Sequence, residues 1–195
     1  VSRGLGDVYK RQNEPNSGNH LFRSGVLDVI GYNYHNKDIP NVPANFPDKP
    51  FIITESNSAL MTRGYYRMPS DRMFIWPERW DKSFADSTFA CSSYENCHVP
   101  WGNTHEESLK LVRDNDFISG QYVWTGFDYI GEPTPYGWPA RSSYFGIVDL
   151  AGFPKDVYYL YQSEWTDKQM LHLFPHWNWT PGQEIDTVSY THLRA

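Results

Sequence analysis

Residues 49–56 read Lys-Pro-Phe-Ile-Ile-Thr-Glu-Ser, a short apolar run that stops at a carboxylate. Phe51, Ile52 and Ile53 are consecutive β-formers with no polar face to give to water. The run therefore predicts a strand buried on both sides, as in a parallel sheet, starting after Pro50. A chain with such a strand needs helices on the sheet faces, which points to an α/β architecture. In parallel α/β barrels the chemistry sits at the carboxyl ends of the strands, so Glu55 reads as a functional carboxylate. A strand-end Glu also suits a loop cap or an Arg partner, and its neighbours must decide between these.

Two further runs end in the same way. Leu27-Asp28-Val29-Ile30-Gly31-Tyr32-Asn33-Tyr34 lies upstream, and Ile118-Ser119-Gly120-Gln121-Tyr122-Val123-Trp124 lies downstream. Each delivers polar or aromatic groups at its carboxyl end, as a shared pocket above a barrel requires. Before the first of them, Asn13 to Gly25 reads as a loop, and between them Met61 to Trp101 is long enough to predict a folded insertion. Thr104-x-x-Glu107 is a capping box that opens a helix, with Leu109, Val112 and Leu111 as its inward candidates. Asp156 to Trp165 predicts a last helix with Val157, Leu160, Tyr161 and Trp165 at helical spacing. The period then changes. Leu171, Leu173 and Trp177 alternate with polar neighbours before the turn Pro181-Gly182, so 170–187 predicts a strand and turn that open a β-domain.

Composition narrows the function classes. The formal charge of −6 gives no electrostatic footprint for nucleic acid. No apolar run approaches the roughly 18 residues of a membrane span. Eight Trp and fourteen Tyr suit the flat apolar faces of sugars, although such rings also fill cores. Residues 1–12 and 188–195 resemble translated adapter sequence and are expected to lie outside the native fold, although Val188 and Ser189 also fit the continuation of a native strand. His172-x-x-x-His176 reads as surface histidines on a β-domain rather than a metal pair, because no Cys or acidic partner clusters nearby. Cys91 and Cys97 fit either a local disulfide or two free thiols.

The order Ile-Gly-Tyr-Asn-Tyr (30–34), Ile-Ile-Thr-Glu-Ser (52–56) and Tyr-Val-Trp-Thr-Gly-Phe-Asp-Tyr-Ile-Gly-Glu-Pro (122–133) resembles the second half of the catalytic barrel of glycoside hydrolase family 2, nearest to its bacterial β-galactosidases. The resemblance covers about residues 13–187. It implies an incomplete TIM (β/α)8 barrel, strands six to eight, over 13–168, and the start of an immunoglobulin-like β-domain over 169–187. It also implies a carbohydrate substrate and a retaining exo-β-glycosidase. β-Glucuronidase, β-mannosidase and a noncatalytic carbohydrate-binding protein are the competing readings. Glu55 matches the family's nucleophile, and Tyr34 matches a tyrosine beside it. Asn33 matches a sugar-hydroxyl contact, Trp124 matches the floor of the sugar subsite, and Asp128 sits in the following loop as a further hydroxyl contact. Ser58 departs from members that carry a His there. Asn13-Glu14 does not serve as the family's acid/base pair, since there is no room after it for the elements that should follow. The acid/base Glu is therefore expected outside this fragment, which alone should be inactive. No metal or cofactor is expected within it.

Overall fold

A computed structural model describes residues 19–77 and 88–192. The chain divides into two compact units, one formed by 1–58 with 101–124 and the other by 59–100 with 125–195. The adapter-like segment 1–12 and Glu14 lie outside the described residues.

The first unit is a parallel sheet in the order β1 (Ile30–Asn33), β2 (Phe51–Asn57), β5 (Ile118–Trp124). Its apolar core gathers Phe22, Ile30, Tyr32, Ile39, Val42, Phe51, Ile53 and Ile118. Phe22 comes from α1 (His20–Arg23), a single turn capped by Asn19, and Val42 opens the short α2 (Val42–Asn45). Tyr32 meets both Phe22 and Phe51 edge to face, the arrangement aromatic quadrupoles favour. Covering this face is α3 (His105–Arg113), whose Thr104–Glu107 capping box is formed in both directions. Leu111 and Val112 pack on the core as expected, and His105 and Ser108 share the buried side.

The strands are not where strict alternation puts them. β1 is shorter than the apolar run, and β2 runs three residues past Thr54. Tyr32 pairs with Ile53, yet Asn33 pairs with Glu55, so Thr54 is an extra residue in the ladder. If β2 alternated strictly through Thr54, Glu55 would share parity with Phe51 and Ile53 and point into their apolar core. The bulge re-aims it.

The second unit contains the 61–101 stretch up to Pro100, folded as expected, with a small parallel pair β3 (Phe74–Ile75) and β4 (Cys97–His98). Residues 78–87 of that stretch lie outside the described residues. Cys91 and Cys97 are both free and buried, and Cys91 Sγ lies 2.8 Å from the Tyr136 hydroxyl. α4 (Asp156–Trp165) packs on an antiparallel hairpin of β6 (Met170–Phe174) and β7 (Val188–His192). β7 falls within the residues set aside as adapter-like, and it pairs with β6 along its length.

Trp165, the inward face of β6 and His172 depart from the expectation. Trp165 is exposed while Val157, Leu160 and Tyr161 are buried, because the last turn of α4 rotates it out. On β6 the inward parity is Met170, His172 and Phe174, leaving Leu171 and Leu173 exposed. The reason is polar: His172 Nε2 lies 2.8 Å from Asp156 Oδ1, and the ring stacks on Tyr159 at 3.8 Å. His172 is thus half-buried rather than a surface histidine. Among the described residues, no group of His, Cys, Asp and Glu could hold a metal ion, and no helix is long and apolar enough to cross a membrane.

Candidate active site

The ladder positions Asn33 and Glu55 side by side, and Tyr34 follows one residue beyond β1. The Tyr34 N–H donates to the Glu55 carbonyl at 2.7 Å, which locks the two strand ends together. Tyr34 then turns left-handed (φ 59°), as does His35 (φ 57°). At the end of β2, Asn57 (φ 77°) and Ser58 (φ 53°) do the same. Left-handed backbone costs a non-glycine residue about 1–2 kcal/mol, and such strain clusters at functional sites.

Those turns bring side chains together. The Tyr34 hydroxyl donates to Glu55 Oε2 at 3.0 Å and lies 2.8 Å from Ser58 Oγ. The Trp101 indole acts on the same hydroxyl, favouring its charged form. The arm carrying Trp101 is tied to the end of β2 by Asn103 N–H to the Asn57 carbonyl at 2.7 Å and by Asn57 Nδ2 to the Thr104 carbonyl at 3.4 Å. Burial, and next the Glu55 carboxylate, push the Tyr34 phenol well above its usual range, while Ser58 and Trp101 pull it back. Tyr34 therefore keeps its proton at neutral pH and acts as a donor.

The other expected residues fall as follows. Asn33 is buried at 3% exposure, and its Oδ1 accepts from the Thr54 hydroxyl. Trp124 ends β5 in register with Asn57, and its carbonyl accepts the Ser58 N–H at 3.3 Å. These residues, with Glu55 and Tyr34, gather at the carboxyl end of the first unit's sheet. Asp128 belongs to the second unit. Its Oδ1 accepts from Lys155 Nζ and from the Gly146 N–H, both at 2.8 Å, with the side chain 5% exposed. Lys155 Nζ also donates to the carbonyls of Met61 and Tyr144. Burial pushes the Asp128 carboxyl up and the Lys155 ammonium down, and each pulls the other back. Asp128 also borders a cavity of about 260 Å³ with Thr62, Arg63, Tyr144, Asp149, Leu150 and Ala151. The buried ion pair was not foreseen from sequence, since Lys155 lies far from Asp128 along the chain. Ser58 and Trp101 were likewise missed as Tyr34 partners. The isolated Pro100-Trp101-Gly102, between an insertion and a helix cap, was the one available hint for Trp101.

No family model matches the chain. The chain is 97% identical over 178 residues to the β-galactosidase BoGH2A of Bacteroides ovatus, an alignment that takes in 91% of this chain and 21% of that protein. The chain belongs to glycoside hydrolase family 2. A solved β-glycosidase from Bacteroides vulgatus superposes with a TM-score of 0.72 at 31% identity, covering 92% of this chain and 24% of that one. The fold is also shared with a Bacteroides uniformis β-glucuronidase, at a TM-score of 0.55 and 21% identity over 81% of this chain and 18% of that one. This family 2 chain therefore spans about a fifth of the length of the curated relative it matches.

Proposed function

We propose that this chain supplies the nucleophile side of a retaining exo-β-glycosidase that releases terminal β-galactosyl groups. The observation that carries the reading is the Tyr34 hydroxyl donating to Glu55 Oε2 at the carboxyl ends of paired parallel strands. In the first step a Glu55 oxygen attacks the anomeric carbon, the glycosidic C–O bond breaks, and the leaving oxygen takes a proton from a second carboxyl group. In the second step water adds to the anomeric carbon and gives its proton back to that group, and the ester bond to Glu55 breaks. Tyr34, kept protonated, steadies the carboxylate that departs. Asn33 contacts a sugar hydroxyl and Trp124 offers its ring as a floor for the sugar, while Asp128 borders a cavity within its own unit. The family supports reading β1, β2 and β5 as strands six, seven and eight of a (β/α)8 barrel over 13–168, and β6 as the opening of an immunoglobulin-like domain over 169–187.

Preference for β-galactosides is supported by the 97% identity to a β-galactosidase. The test uses residues 13–187 of this chain grafted into the matching span of the Bacteroides ovatus protein. Aryl β-galactoside should be hydrolysed with retention, and Glu55→Gln should abolish it. Turnover of more than a few per cent in a folded Glu55→Gln variant overturns the nucleophile. Faster hydrolysis of aryl β-glucuronides or β-mannosides overturns the galactoside preference, and sugar binding without any turnover turns the reading to a carbohydrate-binding protein.

A further inference from the structure

We propose that Ser58 is a positioning residue that commits the single Tyr34 hydroxyl proton to Glu55. The inference rests on Glu55 being the nucleophile. A phenol oxygen has one proton to give and two lone pairs to receive with. Two side chains hydrogen-bond it: Glu55 Oε2 at 3.0 Å and Ser58 Oγ at 2.8 Å. An ionised carboxylate only accepts, so the Tyr34 proton goes to Glu55. Ser58, whose hydroxyl geometry alone permits either role, is left to donate into a phenol lone pair. The reverse polarity would aim a phenol lone pair at a carboxylate 3.0 Å away.

The arrangement is held by backbone. Ser58 is 1% exposed, so its hydroxyl is not kept there by solvent. Its left-handed φ and the bond from its N–H to the Trp124 carbonyl fix where it points. A donor into the phenol oxygen polarises its O–H and strengthens the bond it makes in turn. That bond matters most when negative charge returns to Glu55, as the glycosyl ester is hydrolysed. Ser58 thus acts through Tyr34, on the second step more than the first.

The test uses the grafted full-length protein and a 2-deoxy-2-fluoro-β-galactosyl fluoride, which traps the ester and counts competent sites. Per trapped site, Ser58→Ala should slow ester hydrolysis by about 10-fold, the effect of one good hydrogen bond, and change kcat/KM for an activated aryl galactoside by less than about 3-fold. Ser58→Thr, which keeps a hydroxyl, should return the ester lifetime to within about 2-fold of the parent. An unchanged ester lifetime in Ser58→Ala overturns the inference, as does an equal loss in Ser58→Thr or a loss confined to the number of trapped sites. If Glu55→Gln still forms the ester, the nucleophile reading itself falls. If Glu55→Gln is dead while Ser58→Ala matches the parent, this inference alone falls.

Discussion

The two units each hold carboxylates by hydrogen bonds, but in different company. In the second unit Asp128 meets an ammonium and a backbone amide, and Asp156 accepts from Tyr66, Ser93 and His172. Both join segments distant in sequence. In the first unit the Tyr34 phenol donates to Glu55 and is itself held by the Ser58 hydroxyl, on backbone bent left-handed at two strand ends. The cation on Asp128 fastens that carboxylate in place, while left-handed strain of the kind around Glu55 gathers at functional sites.

That contrast predicts that first-unit changes at Glu55 alter rate and second-unit changes alter stability. In the grafted protein, Glu55→Gln should lower kcat by about 10³-fold or more while leaving unfolding by urea within about 0.5 kcal/mol of the parent. A stability loss of several kcal/mol would erase the distinction. Lys155→Met should cost about 3–5 kcal/mol in the same measurement, since it leaves Asp128 buried without its cation. Adding Asp128→Asn should recover part of that loss, and no recovery would mean that the lysine acts through its carbonyl bonds alone. Asp156 sharpens the comparison through pH. Burial raises its carboxyl, but bonds from His172, Ser93 and Tyr66 outweigh that and hold it below the usual carboxylate range. A depressed folded value means stability is present above the unfolded value, about pH 4, and is lost as pH falls through the folded value. Asp156→Asn should therefore destabilise by about 1–3 kcal/mol at pH 7 and flatten the acid limb of the stability curve. The smallest effect belongs to Thr104→Ala, which removes half of the capping box and should cost about 1 kcal/mol with kcat unchanged within about 2-fold.

Local signals were legible and distant ones were not. β5, α4 and the Thr104–Glu107 box stand where periodicity and capping chemistry put them, because those patterns depend on residues within one turn or one strand. The strand-end run made Glu55 conspicuous, and Asn33, Tyr34 and Trp124 followed from the ends of neighbouring runs. Alternation on β6 gave two faces but not which one lay inward, and a bond from His172 to Asp156 decided it. Ser58 and Trp101 escaped because a hydroxyl partner arriving from a separate loop leaves no periodic trace. The Asp128–Lys155 pair escaped for the same reason.

The extra residue in the β1–β2 ladder has a consequence for how such a chain can vary. Thr54 works by being counted. Many side chains could stand there and leave the count intact, so substitution is cheap in this respect. A one-residue deletion between Ile53 and Glu55 would leave the carboxylate paired with Asn33 and on the opposite face from Ile53 in a straightened ladder, whereas a one-residue insertion there would carry it a further place along, off Asn33 and away from Tyr34. In this strand spelling is forgiving and added length is not, and a lineage that keeps its chemistry should show many letters at position 54 and no insertion between 53 and 55.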